Sequence, residues 1–571
     1  MIKKWICVCL CIVLTVTAVS FCIKAQNDEL SFIVTSDLHY DNTPDAVSNN
    51  FPGEKYYTAD KESVIMLAET NAIVRQFLRQ AAQSDAEFVL ICGDMTDGGT
   101  GKQQRAVAKL FREFEQSTGK KIFVINGNHD FNDGISVETF KSQYADFGYN
   151  EALTVDASTC SYTADLSAKY RLIAFDSGNH VNGADGVTQE RFDWLQTQVL
   201  QAKADGKEPL VMMHHSFLEH LKFQSAFMAN YVIASKWEMS KRFVEWGVRY
   251  VFTGHQHAQD VTGYTDKETG KKVYDILTAS LCCYPCAYRT ATLNDGGLTL
   301  ETKRITAVRR EDLPKSGYSA ELLQEMTTDF NRFSYGMFVV TFNDRKSFLF
   351  SDWAIQSMLK KLKLDFLSGI AGAFFPTFFA YLDMPLYEKN VQDGAACLET
   401  AAKDLGLSIP QSEYRTLSDI LSYFASVFLY GDENLSVQDS RIDLFMQGLY
   451  TALYTSLRDV SASEREKLLS DVKANFKEHA APYIVTRLGR VIVGGSRDER
   501  VLQLTILLFS PFIELYAMDD EIPDNDVVLP ATDDAPNTAI QWIATIIEWI
   551  VRFYLRYIDG LNRLAKMYTL R

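Results

Sequence analysis

Short apolar runs alternate with amphipathic stretches in the first half of the chain, and each apolar run stops at a polar cluster. Five runs have the β-rich composition and length of buried strands, at residues 30–35, 87–91, 121–125, 209–213 and 249–253. Stretches with helical periodicity lie between them, near residues 60–82, 102–117, 188–203 and 236–246. Alternating strands and helices predict an α/β layered fold, in which β-sheets are flanked by helices.

The pattern changes after about residue 310, where helical periodicity continues to the C-terminus. Candidate helices occupy residues 319–333, 352–365, 394–405, 415–429, 439–458, 462–480, 498–517 and 537–567. We therefore predict an α/β domain over residues 28–309 and an all-α C-terminal domain of unassigned role over residues 310–571. The acidic stretch 518–536 is expected to be an exposed linker.

The first 25 residues have the pattern of a secretory signal. Lys3 and Lys4 precede an uncharged apolar run over residues 5–23, and polar residues follow from Gln26. The run nearly matches the thickness of a bilayer, so an uncleaved N-terminal anchor is the alternative to a cleaved signal peptide. We expect residues 1–25 to direct export, with the rest of the chain secreted or membrane-anchored.

Composition and charge narrow the class of protein. The 571 residues are 47% hydrophobic and 23% charged, which is typical of a folded protein and excludes a disordered or low-complexity chain. The formal net charge of −16 disfavours binding to the phosphate backbone of a nucleic-acid duplex. A membrane contact through the N-terminal segment or the C-terminal helices stays open.

Histidine is concentrated where the apolar runs end. Eight of the nine histidines precede residue 258. Six of these histidines, with nearby carboxylates and one amide, belong to five clusters: Asp37 with His39, Asp94 with Asp97, Asn128 with His129 and Asp130, His214 with His215, and His255 with His257. Ligands of α/β sheets bind beyond the carboxyl ends of the strands, so we expect the five clusters to meet at one site.

The residue types in these clusters indicate metal chemistry. Mixed oxygen and nitrogen ligands suit borderline or hard cations such as Zn, Mn or Fe. There are too many ligands for one tetrahedral ion, and the set fits two ions about 3.5–4 Å apart that share a carboxylate. Gly93, Gly127 and Gly254 are expected to permit the tight turns that bring the ligands together.

The five clusters, in this order, resemble the motifs of the calcineurin-like metallophosphoesterase superfamily, and within it the bacterial members similar to class III cyclic-nucleotide phosphodiesterases. The resemblance covers roughly residues 28–309 and implies two divalent or trivalent metal ions, with Zn, Mn and Fe all open. It implies these metal ligands: Asp37, His39, Asp94, Asn128, His214, His255 and His257. Asp94 would bridge the two ions. His215 is the alternative to His214, because Ser216 replaces the usual proline of the His-His-Pro pattern.

The resemblance also implies a mechanism. A hydroxide bridging the two ions would attack the phosphorus of a phosphomonoester or phosphodiester, with His129 as general acid and Asp130 orienting its ring. Asp97 would support the site without binding metal. The substrate, a phosphorylated small molecule or a lipid headgroup, stays open. The alternative function is a catalytically silent cell-surface binding protein on the same fold.

A further segment lies close to the last histidine cluster in the sequence. Residues 273–277 predict a strand, and residues 289–305 predict a hairpin with a turn at Asn294. Arg289, at the start of this hairpin, is a candidate for binding the substrate phosphate, with a structural role as the alternative. Cys282, Cys283 and Cys286 are interpreted as a local disulfide or as buried thiols, because no second cysteine pair completes a zinc site.

Overall fold

The computed structural model describes most of the chain up to residue 459 and short pieces beyond it. The described residues are 29–41, 64–178, 186–221, 224, 231–315, 317–349, 380–391, 396–404, 406, 408–436, 439–459, 485–486, 489–490, 513, 516–518 and 522–533. The N-terminal segment 1–25 and the predicted helices 352–365, 462–480 and 537–567 lie outside these residues, as does most of 498–517.

Strands and helices alternate up to residue 304, as the sequence pattern predicts. The strands of this part are β1 (Leu30–Thr35), β2 (Phe88–Cys92), β3 (Lys121–Ile125), β4 (Thr154–Val155), β5 (Tyr162–Asp165), β6 (Tyr170–Ala174), β7 (Glu208–Met212), β8 (Tyr250–Thr253), β9 (Asp260–Thr265), β10 (Lys272–Leu277), β11 (Ala287–Asn294) and β12 (Gly297–Arg304). The helices between them are α1 (Thr70–Gln83), α2 (Gly101–Thr118), α3 (Val137–Gln143), α4 (Gln189–Ala204) and α5 (Lys236–Trp246).

Helices dominate the described residues after 310. They are α6 (Ala320–Thr328), α7 (Phe330–Leu349), α8 (Leu398–Asp404), α9 (Leu417–Tyr430) and α10 (Ser440–Asp459). Three short strands also occur: β13 (Val485–Thr486), β14 (Gly489–Arg490) and β15 (Asp526–Pro530). Among the described residues, no helix combines the length and the apolar character needed to cross a membrane.

Two sheets form the frame of the α/β part. The first has the order β15-β12-β11-β1-β2-β3, and the second has the order β4-β5-β6-β7-β8-β10-β9. Strands β1, β2 and β3 are parallel to one another in the first sheet, and β6, β7, β8 and β10 are parallel in the second. The predicted layered α/β fold is therefore confirmed, with the parallel strands at one end of the first sheet and at the centre of the second.

The main core lies between the sheets. The ring of Phe32 on β1 stacks on Phe88 of β2 at 5.2 Å between centroids and meets Phe252 of β8 edge-on at 5.6 Å. Helices cover the outer faces: Phe77 of α1 packs on Tyr288 of β11, and residues of α4 and α5 cover the second sheet. Burial of this apolar area is the largest favourable contribution to folding.

The segment after residue 523 differs from the prediction. Instead of an exposed linker, β15 pairs with β12 in antiparallel register, with Leu529 opposite Leu298 and only 2% exposed. The hydroxyl of Tyr250 donates to the Leu529 carbonyl, and the guanidinium of Arg249 binds Asp533 with two bonds of 2.9 and 2.7 Å. The linker prediction is wrong here because the backbone of residues 526–530 pairs with β12, whose backbone groups would otherwise be unpaired at the edge of the sheet.

Candidate metal centre

The five predicted clusters lie together at the carboxyl ends of the parallel strands. Asp37 and His39 follow β1, Asp94 and Asp97 follow β2, Asn128 and His129 follow β3, His214 and His215 follow β7, and His255 and His257 follow β8. Their side chains form four groups of potential metal ligands, each with ligand atoms within 4.8 Å of one another: Asp37, His39 and His257; His39, Asp94 and His129; Asp37, Asp94 and His214; His214, His215 and His255.

Asp37, His39 and His257 form one side of the centre. Their ligand atoms face one another: the two Nε2 atoms are 3.0 Å apart, and Asp37 Oδ1 lies 3.4 Å from His257 Nε2 and 3.7 Å from His39 Nε2. Asp37 Oδ1 is buried and has no hydrogen-bond partner. Lone pairs of two imidazoles and a carboxylate that converge in this way fit a borderline cation.

Asp94 lies between this group and the other side of the centre. Its Oδ2 is 3.8 Å from His39 Nε2 and 3.3 Å from His214 Nε2, while Asn128 Oδ1 is 3.2 Å from the same His214 atom. The Oδ1 of Asp94 accepts a hydrogen bond from the backbone N–H of His129 at 2.7 Å. One carboxylate therefore faces histidines from both sheets, which is the arrangement expected of a bridging ligand.

The two neighbouring histidines after β7 differ in their surroundings. His214 Nδ1 lies 2.7 Å from the Cys92 carbonyl, which directs Nε2 toward Asp94 and Asn128. His215 Nδ1 lies 3.0 Å from the hydroxyl of Ser177, and its buried Nε2 has no hydrogen-bond partner. The geometry thus places His214 beside the proposed bridging carboxylate, whereas His215 groups with His214 and His255.

Charge and burial determine the protonation of these groups. Burial alone would raise the pKa of Asp37 and Asp94, but the adjacent histidines outweigh it and hold both pKa values below their usual range. Burial and the charge of His214 lower the pKa of His255 to about 3. Ionised carboxylates and neutral imidazole are the forms that bind metal.

Backbone strain is concentrated at the candidate ligands. The described chain contains seven non-glycine residues with positive φ, and five of them are candidate ligands: Asp37 at 51°, His39 at 42°, Asp94 at 49°, His255 at 75° and His257 at 59°. The left-handed region is costly for residues with a Cβ and persists where the surrounding structure enforces it, as at functional sites.

Two glycines allow the loops to approach one another closely. A Cβ at Gly254 would lie 1.8 Å from Ser36 Oγ and 2.6 Å from Asp37 Oδ2. A Cβ at Gly127 would lie 2.1 Å from Asp94 Oδ1. All three distances are far below van der Waals contact, so a side chain at either position would force the neighbouring loop to move.

His129 is oriented by a different residue from the one predicted. Its Nδ1 lies 2.9 Å from the Asp97 carbonyl oxygen and 3.5 Å from the Asp97 carboxylate. Asp130 is fully buried and instead accepts backbone hydrogen bonds from Met95, Thr96 and Gly127. The prediction that Asp130 orients the ring is therefore wrong, because its carboxylate joins the loops after β2 and β3.

Asp97 supports two histidines at once. Its Oδ1 lies 3.2 Å from His39 Nδ1 as well as 3.5 Å from His129 Nδ1. A carboxylate on the far nitrogen of a ligand histidine directs the other nitrogen toward the metal. This placement matches the supporting role expected of Asp97.

Arg289 lies away from the metal centre in a structural role. It is fully buried, and its guanidinium donates to the backbone carbonyls of Asp524, Asp260 and Leu277. The proposed phosphate contact is wrong, because a guanidinium that is 0% exposed cannot reach a substrate. Its role is to tie the segment before β15 to β9 and β10.

The sequence interpretation missed a thiol beside one ligand. Cys283 Sγ lies 3.4 Å from His257 Nδ1, and it is one of six cysteines of the described chain, all free and buried. The sequence position of Cys283 could have predicted this contact, because Cys283 follows strand β10. That strand is parallel to β8 and ends at the same edge of the sheet.

A model of the calcineurin-like phosphoesterase family matches residues 30–259. Comparison with curated proteins found no match. The chain is similar to the solved structure of a dimetal phosphatase from Danio rerio, with 12% identity, coverage of 48% of this chain and 95% of that chain, and a TM-score of 0.35.

Two further structures show low similarity of the same kind. A purple acid phosphatase from yellow lupin (Lupinus luteus) seeds has 11% identity, coverage of 49% of this chain and 52% of that one, and a TM-score of 0.33. A 5'-nucleotidase from Candida albicans has 14% identity, coverage of 56% and 58%, and a TM-score of 0.28. The residues that the calcineurin-like phosphoesterase family model matches, 30–259, contain every candidate metal ligand.

Proposed function

We propose that this chain hydrolyses a phosphate ester at a centre of two metal ions. The observation that carries the proposal is the position of Asp94, whose Oδ2 lies 3.8 Å from His39 Nε2 and 3.3 Å from His214 Nε2. One carboxylate between two sets of buried imidazoles suits a pair of ions that share a ligand.

The ligands divide into two sets around Asp94. Asp37, His39 and His257 would complete the first site, and Asn128, His214 and His255 would complete the second. When bound, two such cations lower the pKa of a water molecule toward neutrality and neutralise charge on the phosphoryl group. The donor set contains no thiolate among these ligands, so Zn, Mn and Fe are the proposed metals.

His129 is the proposed proton donor to the leaving oxygen. Its side chain is 33% exposed, so a substrate can reach it, and the Asp97 carbonyl holds Nδ1 so that Nε2 is the free nitrogen. Burial lowers the pKa of His129, but Asp94 and Asp97 outweigh burial and raise the pKa to about 9. The ring is thus protonated at neutral pH in the metal-free protein, as a general acid requires.

We propose a phosphomonoester or phosphodiester of a small molecule or a lipid headgroup as the substrate. The net charge of −16 repels such an anion, so the metals and His129 would supply the positive charge that binds it. Flotation of the protein with phosphatidylcholine vesicles, with and without anionic lipid, tests the lipid alternative. Comigration supports a lipid headgroup, and its absence supports a soluble substrate.

The decisive experiment combines metal analysis with two model substrates. The purified chain is reconstituted separately with Zn²⁺, Mn²⁺ and Fe²⁺, and hydrolysis of p-nitrophenyl phosphate and bis-p-nitrophenyl phosphate is measured. We expect two ions per chain and hydrolysis of at least one substrate, and faster cleavage of the second compound would indicate a diesterase. Asp94→Asn is the matched variant and should lose both metal and activity.

Two bound metals without hydrolysis of either compound would contradict the proposal. That outcome would favour a catalytically silent binding protein on the same fold.

We also propose that the chain is exported. The support is the sequence of residues 1–25, with its two lysines and uncharged apolar run. Expression of the full chain followed by cell fractionation and N-terminal sequencing tests this. A mature N-terminus near residue 26 indicates a cleaved signal, an intact membrane-bound chain indicates an anchor, and an intact chain in the cytoplasm contradicts export.

A further inference from the structure

A chain of neutral side chains joins the two loops that carry histidine ligands. The amide nitrogen of Gln256 donates to Ser216 Oγ at 2.9 Å, and the amide oxygen of Gln256 accepts a hydrogen bond from Gln224. Ser216 directly follows His214 and His215, and Gln256 lies between His255 and His257. Ser216, Gln224 and Gln256 are 0%, 1% and 7% exposed, so water does not compete for these bonds.

Gln224 closes the first of these loops on itself. Its side-chain oxygen accepts hydrogen bonds from the backbone N–H groups of His220, at 2.8 Å, and Leu221, at 3.4 Å. Gln256, which belongs to the loop after β8, is therefore bonded to two residues of the loop after β7. These are Ser216, near the start of the described part of that loop, and Gln224, further along it. A change in the position of Gln256 would act on both ends of the first loop.

Asp275 of β10 anchors both loops to the same strand. Its Oδ2 accepts the backbone N–H groups of Phe217 and Leu218 at 2.8 and 3.0 Å, and its Oδ1 accepts the hydroxyl of Thr253 at 2.5 Å. The hydroxyls of Ser216 and Thr253 are 3.4 Å apart. The Ser216–Gln256 bond is thus a second connection between the two loops, in addition to their shared contacts with Asp275. It lies beside the histidine clusters that contain the ligands.

The bond lies where the backbone is strained. His255 and His257, on either side of Gln256, have φ values of 75° and 59°. Such conformations persist only where nearby contacts enforce them, and the buried amide of Gln256 provides one between the two residues. A residue without a side-chain hydroxyl at position 216 could not accept this bond.

We propose that Ser216 and Gln256 are positioning residues that set the separation between the two histidine pairs and thereby the affinity for the second metal ion. The inference rests on the proposed function, because it concerns the ligands of the same centre. His214 and His255 belong to the second set of ligands; His214 lies two residues before Ser216, and His255 directly precedes Gln256. Of the first set of ligands, only His257 is adjacent to a residue of the Ser216–Gln256 pair.

Ser216→Ala tests the inference, because it removes the hydroxyl and little else. Metal-free protein is titrated with Zn²⁺ by equilibrium dialysis, and bound zinc is counted by mass spectrometry. We expect the second equivalent to bind about 10- to 100-fold more weakly than in the parent chain, with the first nearly unchanged, as for other residues that orient metal ligands. Ser216→Thr, which keeps the hydroxyl, should restore the second affinity.

The matched control is Ser418→Ala. Ser418, on helix α9, is also buried, and its hydroxyl donates a hydrogen bond to Asp383. Ser418→Ala therefore measures how much stability is lost when a buried hydroxyl and its hydrogen bond are removed. If Ser216→Ala lowers the melting temperature of the metal-free protein as Ser418→Ala does and leaves both zinc affinities unchanged, the bond is merely structural and the inference is overturned. Should Ser216→Ala not fold, Gln256→Met removes the bond to Ser216 together with the bond from Gln224, and its two zinc affinities are compared with those of the parent chain in the same way.

The outcomes separate this inference from the proposed function. A parent chain that binds none of Zn²⁺, Mn²⁺ and Fe²⁺ overturns the proposed two-metal centre itself. A parent chain that binds two ions, with a Ser216→Ala variant that binds both equally well, overturns only the positioning role.

Discussion

The ring of His129 is held by Asp97, which offers its backbone carbonyl at 2.9 Å and its carboxylate at 3.5 Å to the same Nδ1 atom. The same carboxylate oxygen lies 3.2 Å from Nδ1 of His39. One residue of the loop after β2 therefore orients both the proposed proton donor and a proposed metal ligand. This relationship couples the position of the acid to that of the metal centre.

Replacement of His129 should separate proton donation from metal binding. We expect His129→Ala to lower kcat by about 10²- to 10⁴-fold, the usual contribution of a general acid, while two metal ions still bind. Turnover with p-nitrophenyl esters and metal content by mass spectrometry are the measurements. Unchanged turnover would show that another group protonates the leaving oxygen.

Introducing a methyl group at Gly254 should disrupt the centre. The Cβ would lie 1.8 Å from Ser36 Oγ and 2.6 Å from Asp37 Oδ2, so the loops after β1 and β8 must separate. We expect Gly254→Ala to lower the free energy of unfolding by about 1–3 kcal/mol, as overpacking does, and to weaken metal binding. Gly101→Ala is the control, since a Cβ there comes closest to the flexible end of the Arg105 side chain, at 3.1 Å. A variant at Gly254 that binds metal like the parent chain would contradict the close approach of these loops.

Glu69 should make stability depend on pH. Burial raises the pKa of Glu69 to about 7, although a hydrogen bond from the hydroxyl of Tyr318 opposes the rise. The folded protein holds the proton more tightly than the unfolded chain. The contribution of protonated Glu69 to the free energy of unfolding is therefore complete below pH about 4.5, and it is lost as the pH rises through about 7.

Glu69→Gln should remove this dependence. At pH 8 we expect the variant to be about 1–3 kcal/mol more stable than the parent chain, with little difference at pH 4.5. Urea unfolding at both pH values measures it, with the exposed Glu190→Gln as control. Equal pH profiles for Glu69→Gln and the parent would mean that Glu69 is not the titrating group.

The ion pair between Arg249 and Asp533 should stabilise the attachment of β15. Its two bonds of 2.9 and 2.7 Å are partly shielded, with side-chain exposures of 19% and 16%. A double-mutant cycle with Arg249→Met and Asp533→Asn should give a coupling free energy of about 0.5–1.5 kcal/mol, more than for exposed pairs. A coupling near zero at low salt would indicate that backbone pairing alone holds the strand.

Local patterns in the sequence predicted much of the fold. The alternation of strands and helices up to residue 304 and the hairpin of β11 and β12 depend on the period of apolar residues and on turn residues, which are local properties. Strand β15 was missed because its pairing with β12 joins residues more than 220 positions apart. Its acidic neighbours gave it the composition of a linker.

The sequence by itself determined which residue types meet at the metal centre, because ligand motifs at the carboxyl ends of parallel strands converge whatever the details of the loops. Only the tertiary structure decided what those residues contact: Asp97 rather than Asp130 beside His129, a buried Arg289, and Cys283 against His257. The physical reason is that hydrogen-bond partners depend on distances and angles between loops from different strands. No local pattern encodes those distances.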